Sequence, residues 1–322
     1  MSIKLRALGR RHFLSQKVGL ISLLIALGPF ANAQQQPSGT PSPVSTPLLV
    51  GYLPAFKGVA LADSVQNLDL TRMTHLNLAF GNPPKCNGVC TPQSDMTFSL
   101  ADHSAADIDA AIAAAHAKGI KVLLSIGGGG GDQLIIQFYN AGLSAPLIAS
   151  LDQFVRLHKL DGVDLDIEDP SAMGAPLGTF TSALISTFHP EGRIVTAAVA
   201  KYLQDSMPDS ALHQFDFINV MNYSSYASAV TAMQFYAQNK KIPRNKIVLG
   251  VPFFASNIED TKEEDYAKIL ASYPNAWKVD MVGGGSLDDG QEFHYVGETT
   301  MARGIQAVAG MGPITFSKGM PQ

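Results

Sequence analysis

Tryptophan occurs once in these 322 residues, cysteine twice, and Lys, Arg, Asp and Glu together make up only 16% of the chain. The sparse charge sums to a formal −4 and gathers into no long run of one sign. That excludes the basic stripe of a nucleic-acid binder and the charged tail of an interaction segment. No His-x-His or His-Glu-x-x-His spacing occurs among the 8 histidines. The sequence therefore offers no recognisable metal-ligand set, and neither a metal nor an organic cofactor is expected. Cys86 and Cys90 enclose Asn87-Gly88-Val89. In an oxidising compartment they would close a small disulfide loop, with Gly88 easing the turn; metal binding is the alternative use.

What is present begins with a targeting segment. Lys4, Arg6, Arg10, Arg11 and Lys17 form a basic stretch, and Val18 to Phe30 is an apolar run. That run is shorter than the roughly 20 residues a spanning helix needs, and Ala31-Asn32-Ala33 then offers a small-x-small cleavage site. Residues 1–33 are read as an export signal, with an uncleaved anchor as the alternative. Arg10-Arg11-His12-Phe13-Leu14 resembles a twin-arginine signal, and the ordinary secretory route fits equally well. Residues 34–47, rich in Gln, Pro, Ser and Thr, read as a linker. An exported protein, periplasmic or extracellular and free of the membrane after signal removal, is expected. A monomer is expected.

Residues 48–322 read as one catalytic domain, and 46% hydrophobic residues suffice for one large core. Eight short apolar or β-branched runs recur: Leu48–Tyr52, His75–Phe80, Lys121–Ile126, Gly162–Glu168, Arg193–Ala200, Phe215–Tyr223, Lys246–Phe254 and Gly304–Ala309. Helical patterns lie between most of them. Ser104 and Asp107 form a capping-box-like start, Ile108 and Ile112 follow at helical spacing, and Gly119 is a stop. Leu147, Leu151, Phe154, Val155 and His158 make another stripe, and Thr261 with Glu264 opens a helix carrying Tyr266, Ile269 and Leu270. This alternation predicts an α/β (β/α)8 TIM barrel, with an open doubly wound sheet as the alternative. The stretch Gly310 to Gln322 shows no helical stripe, so the eighth unit is expected to be incomplete.

One run carries chemistry: Asp161-Gly-Val-Asp-Leu-Asp-Ile-Glu168. In a strand alternate residues share a face, so Val163, Leu165 and Ile167 point one way and Asp164, Asp166 and Glu168 the other. Parallel sheets are covered on both faces, and three carboxylates turned inward are costly unless they share protons or bind something. Crowding raises at least one pKa. Glu168 lies last, at the end of a barrel strand where active sites sit, and a proton-holding carboxyl there suits protonation of a leaving glycosidic oxygen.

The segment DGVDLDIE resembles the DGxDxDxE signature of the family 18 glycoside hydrolases, the chitinases and endo-β-N-acetylglucosaminidases. Gly51-Tyr52, Asn77-Leu-Ala-Phe80, Ser125-Ile-Gly-Gly128, Met221-Asn-Tyr223 and Leu249-Gly-Val-Pro-Phe253 resemble that family in the same order. The resemblance implies substrate-assisted retaining hydrolysis next to N-acetylglucosamine, with a glycan containing that sugar as partner. It assigns Glu168 as acid, Asp166 as the holder of the acetamido N–H, Asp164 as the group sharing a proton with Asp166, and Tyr223 as a hydrogen-bonder of the acetamido group. Tyr52, Phe80, Gly127, Met221 and Asn222 are candidate substrate contacts; Phe56, Phe253 and Phe254 also stand near strand ends. The glycine run 127–131 lacks the Lys-Ser/Thr of a phosphate loop. It reads as a close approach to sugar or as a flexible loop.

Three features depart from the family pattern. Gly304–Ala309 holds no Trp, Ser224 stands where Asp is common, and Asp169-Pro170 follows the acid. The stretch between the seventh and eighth runs leaves no room for a sizeable inserted domain. Together these predict a shallow, aromatic-poor groove. They also keep two other classes in view, a catalytically weak or silent lectin-like binder of chitooligosaccharides and a metal-dependent barrel enzyme.

Overall fold

The computed structural model describes residues 48–174, 176–200, 206–223, 226–257, 263–283, 292–298, 300–301 and 314–317. Eight parallel strands close a barrel. In chain order they are β1 (Leu49–Pro54), β2 (His75–Ala79), β5 (Lys121–Gly127), β6 (Gly162–Asp166), β7 (Ile194–Ala200), β8 (Ile218–Met221), β9 (Ile247–Pro252) and β14 (Ile314–Ser317). β14 pairs with both β9 and β1 and so shuts the ring. A two-stranded ribbon, β3 (Gly81–Asn82) with β4 (Ser99–Leu100), leaves the end of β2. The loop between them carries the Cys86–Cys90 disulfide.

Helices α1 (Leu61–Asn67), α2 (Ala105–His116), α3 (Asp132–Asn140), α4 (Ser144–Leu157) and α5 (Leu177–Phe188) cover the first half of the barrel. Their stripes pack on the outward side chains of the strands, so that Val163, Leu165 and Ile167 are all buried in one cluster with Leu147, Leu151 and Phe154. Each such side chain contributes about 1.5–3 kcal/mol by leaving water. Inside the ring a smaller cluster of Val50, Tyr52, Ala79, Ala198, Phe217 and Val248 fills the barrel.

The capping expectation at Ser104 holds in half. Its hydroxyl accepts the Asp107 N–H at 3.2 Å. The Asp107 carboxylate does not turn back to Ser104. It accepts the Leu61 and Ala62 amides at 2.9 and 3.0 Å, capping α1, whose own N-cap, Ala60, makes no side-chain hydrogen bond.

Four expectations are corrected. The eighth strand is Ile314–Ser317; the run Gly304–Ala309 lies outside the described residues, as do the export signal, the linker and Ser224. The run ending at Phe254 divides: Ile247–Pro252 stays in the barrel, while Phe254–Asn257 forms β10 of another sheet. Glu263–Asp265 is a strand, β11, and the helix there, α6, spans Tyr266–Ser272. Lastly, there is an insertion between β9 and β14. β10, β11, β12 (Met281–Gly283) and β13 (Glu292–His294) form an antiparallel sheet in the order β11-β10-β13-β12. Its own core joins Tyr266, Ile269, Phe293 and Tyr295. Phe253 belongs to that core, tilted on Tyr266 at 6.3 Å, a packing role its position near a strand end did not reveal.

Candidate active site

Asp164 and Asp166 are fully buried on the inward face of β6. Strand register explains how differently they are treated. Asp164 pairs across with Ser125 on β5 and Thr196 on β7, whereas Asp166 pairs with Gly127 and Ala198. The Ser125 and Thr196 hydroxyls donate to Asp164 at 2.8 and 2.5 Å. From strands further round the ring, the Tyr52 hydroxyl donates at 2.9 Å and the Asn219 amide at 3.3 Å. Asn219 also donates to the Tyr52 hydroxyl at 2.9 Å, closing a small network.

Asp166 has no such support: neither carboxyl oxygen has a hydrogen-bond partner. The hydrogen bond between Asp164 and Asp166 is not formed in this structure, because the Asp164 oxygens are occupied by other donors. Burial pushes the Asp166 carboxyl well above the usual carboxylate range, and the nearby Glu168, Asp164 and Asp132 push it further. Burial raises Asp164 too, but its four donors pull the other way. The proton of the pair therefore belongs on Asp166. Tyr52 is raised well above an ordinary phenol by burial and by the two carboxylates beside it, so its hydroxyl stays a donor.

Glu168 lies beyond the last residue of β6 and is half-buried. Burial raises its carboxyl, the Gly129 N–H works against that, and Asp132 adds to it. Two glycines make room here. Gly127 has φ +94°, and a Cβ on it would lie 2.1 Å from the Asp166 carbonyl oxygen. Gly128 has φ +64°, and a Cβ on it would meet the Phe80 ring at 2.1 Å. Gly128 N–H donates to that same Asp166 carbonyl at 2.8 Å. Gly127 and Gly128 thus let this stretch pack against the chain's own Asp166 and Phe80.

Phe80, Phe56, Asn82, Gly127 and Gly128 line a cavity of about 520 Å³ at this end of the barrel. Across the ring, Met221 ends β8, Asn222 is buried, and Tyr223 is half-buried with its ring edge-to-face on Phe254 of the inserted sheet at 5.5 Å. The sequence-predicted residues therefore stand at the C-terminal ends of their strands, except that Asp164 and Tyr52 lie deeper, the Tyr52 hydroxyl donating to Asp164 and accepting from Asn219.

Sequence reasoning missed Thr196 and Asn219, although each is a lone polar residue in an otherwise apolar strand. It also missed Asn82 and Asp132. Asn82 braces Gly127 twice, donating to its carbonyl at 3.0 Å and accepting its amide at 2.9 Å. Asp132 reads in sequence as an ordinary acid in a helix's first turn.

The family described as glycosyl hydrolases family 18 matches this chain over residues 49–306. The chain belongs to this family. Two curated relatives are chitinase-like effectors. That of Moniliophthora perniciosa is 33% identical over 112 residues, covering 34% of this chain and 24% of the relative. That of Moniliophthora roreri is 23% identical over 75% of this chain and 68% of its own length. This chain thus spans about a quarter of the first relative and about two-thirds of the second. Among solved structures, a family 18 chitinase from the chitin utilization locus of Flavobacterium johnsoniae superposes with TM-score 0.68 at 22% identity, over 84% of this chain and 87% of that one. A chitinase-like agglutinin from Robinia pseudoacacia gives TM-score 0.63 at 20% identity, over 84% and 93%. At these identities the likeness is one of fold.

Proposed function

We propose that this family 18 protein is an exported glycosidase that cleaves β-1,4 bonds next to N-acetylglucosamine by substrate-assisted retaining catalysis. The observation that carries the reading is a buried carboxyl without a hydrogen-bond partner, Asp166, between a fully engaged carboxyl below it and a half-buried acid above it. A buried polar group left unpaired costs about 1–3 kcal/mol. A substrate N–H arriving at Asp166 recovers that cost, and an acetamido group supplies one.

Glu168 gives its proton to the glycosidic oxygen as the bond to the anomeric carbon breaks. The acetamido carbonyl oxygen of the same sugar attacks that carbon from the opposite face, forming a cyclic oxazolinium ion. Asp166 accepts the acetamido N–H and offsets its positive charge, while Tyr223 orients the acetamido group. Asp164 shares the proton of the pair only once one of its four donors turns away, and at that moment Asp166 is ionised. A water then enters where the leaving sugar was, gives a proton to Glu168 and opens the ring, so two inversions leave the configuration retained. Phe80, Gly127, Met221 and Asn222 shape the wall around the reacting sugar, and Tyr52 acts through Asp164.

The substrate is an N-acetylglucosamine-containing glycan, met outside the cytoplasm by a monomer. Mass spectrometry of N-acetylglucosamine oligomers incubated with the protein and with Glu168→Gln tests this directly: the wild type shortens them and the variant does not. A lectin-like role, which the likeness to an agglutinin keeps in view, predicts binding of intact oligomers by both.

A further inference from the structure

β6 stops at Asp166, so among the described residues no ladder hydrogen bonds hold the chain from Ile167 to Asp169, where the acid resides. Among the described residues the ties that reach this segment from elsewhere in the barrel come from residues 128–132, while the turn that follows adds its own bonds, from the Ala172 N–H to the Asp169 carbonyl at 3.1 Å and from the Ser171 hydroxyl to the Asp169 carboxylate. Gly128 N–H donates to the Asp166 carbonyl, Gly129 N–H donates to Glu168, and Asp132 Oδ2 accepts the Asp169 N–H at 3.0 Å. Asp132 opens α3, a place where a carboxylate usually faces water and offsets the helix dipole. This one is turned inward and is 3% exposed. Asn82 anchors the start of the same stretch at Gly127.

We propose that Asp132 is a positioning residue for Glu168: its carboxylate fixes the backbone directly after the acid and sets the charge against which Glu168 gives up and regains its proton. Three carboxylates act on Asp166, namely Glu168, Asp164 from β6 and Asp132 from α3; on Glu168 the acting carboxylate is Asp132, opposed by the Gly129 N–H. Asp132 is the one among them that stands on a different element and touches the chain beyond the acid. It supplies negative charge without standing on the catalytic strand, which helps Glu168 to remain an acid at neutral pH. The kinetic part of this inference rests on the glycosidase reading; the structural part does not.

Two substitutions separate the roles. Asp132→Asn keeps an oxygen for the Asp169 amide and removes the charge; Asp132→Ala removes both. The Glu168 carboxyl is followed by NMR titration of protein carrying 13C-labelled Glu, with Glu168→Gln identifying its signal. In Asp132→Asn the Glu168 midpoint falls by about half a pH unit or more; an unmoved midpoint overturns the electrostatic role. Hydrogen exchange of the Asp169 amide is slow in wild type and Asp132→Asn and fast in Asp132→Ala; equal protection in all three overturns the positioning role. If Asp132→Ala does not fold, Asp132→Asn and Asp132→Ser decide the same question. On N-acetylglucosamine oligomers, Asp132→Asn moves the alkaline limb of kcat to lower pH at unchanged KM, whereas an unmoved limb contradicts the proposal. Absence of turnover in the wild type defeats the glycosidase reading, while the titration and exchange still decide the role of Asp132.

Discussion

Asp164 and Asp166 stand two residues apart on the same inward face of β6, yet the first accepts four hydrogen bonds and the second accepts none. The difference is set by their cross-strand neighbours, Ser125 and Thr196 for the one, Gly127 and Ala198 for the other. A fold optimised for stability alone would not keep an unpaired carboxyl at full burial. Such a group is retained where a ligand completes it.

This makes Asp166 a source of pH-dependent instability. Its folded pKa is raised, so the folded state binds its proton more tightly than the unfolded chain does. Its contribution is fully present below the unfolded value, about 4, and is lost as pH rises through the folded value. Asp166→Asn carries no titrating group there. The melting temperature of the variant minus that of wild type, measured by calorimetry, should therefore grow between about pH 5 and pH 8. A constant difference contradicts the assignment of the proton to Asp166.

Tyr52→Phe removes the hydroxyl that donates to Asp164 and accepts from Asn219. Both partners are buried, so the loss should cost about 1–3 kcal/mol in urea unfolding. Because Tyr52 acts through Asp164, turnover should fall with little change in KM. A rise in KM alone would instead indicate direct contact with sugar.

Gly128→Ala places a Cβ against the Phe80 ring at a backbone φ of +64°. Strain and ring displacement together should lower stability by about 1–3 kcal/mol and loosen the wall beside Glu168. Gly88→Ala also has a positive φ but meets nothing within 4 Å, and it serves as control. Circular dichroism melts of both variants check the contrast: a Gly88→Ala loss as large as that of Gly128→Ala would remove Phe80 from the explanation.

Asp107→Ala strips the cap from α1 and should cost about 1–2 kcal/mol at neutral pH. Burial would raise the Asp107 carboxyl, but the Ala62 and Leu61 amides and His103 outweigh it and hold the carboxyl below its ordinary value. The stabilisation is therefore present above the unfolded value and lost as pH falls through the folded one. The gap in melting temperature between wild type and variant should close below about pH 4.

The barrel and its acidic strand were legible because both follow from period-2 alternation: Val163, Leu165 and Ile167 reach the outer core, and Asp164 and Asp166 the interior. Alternation does not say where pairing stops, so it carries on to Glu168 although the strand ends at Asp166. The eighth strand, Ile-Thr-Phe-Ser, is short and gives a weaker signal than the longer apolar run at Gly304–Ala309; it also lies past the end of the family match at residue 306. The inserted sheet was hidden by strands of three or four residues, too brief to show a period. Within the site, the carboxylates were legible and their partners were not. Whether Thr196 or Ala198 faces a given Asp is a matter of register between strands, and register is absent from any single run.

The most direct test of the account is the product spectrum on N-acetylglucosamine oligomers set beside glucosamine oligomers of equal length, with wild type and Glu168→Gln. General acid catalysis supplies about 10²- to 10⁴-fold, and without an acetamido group there is no internal nucleophile. The account predicts shorter acetylated products from the wild type, a loss of at least about 100-fold in Glu168→Gln, and no cleavage of the deacetylated oligomers. Acetylated oligomers that remain intact with folded wild-type protein, or equal turnover by Glu168→Gln, would contradict it.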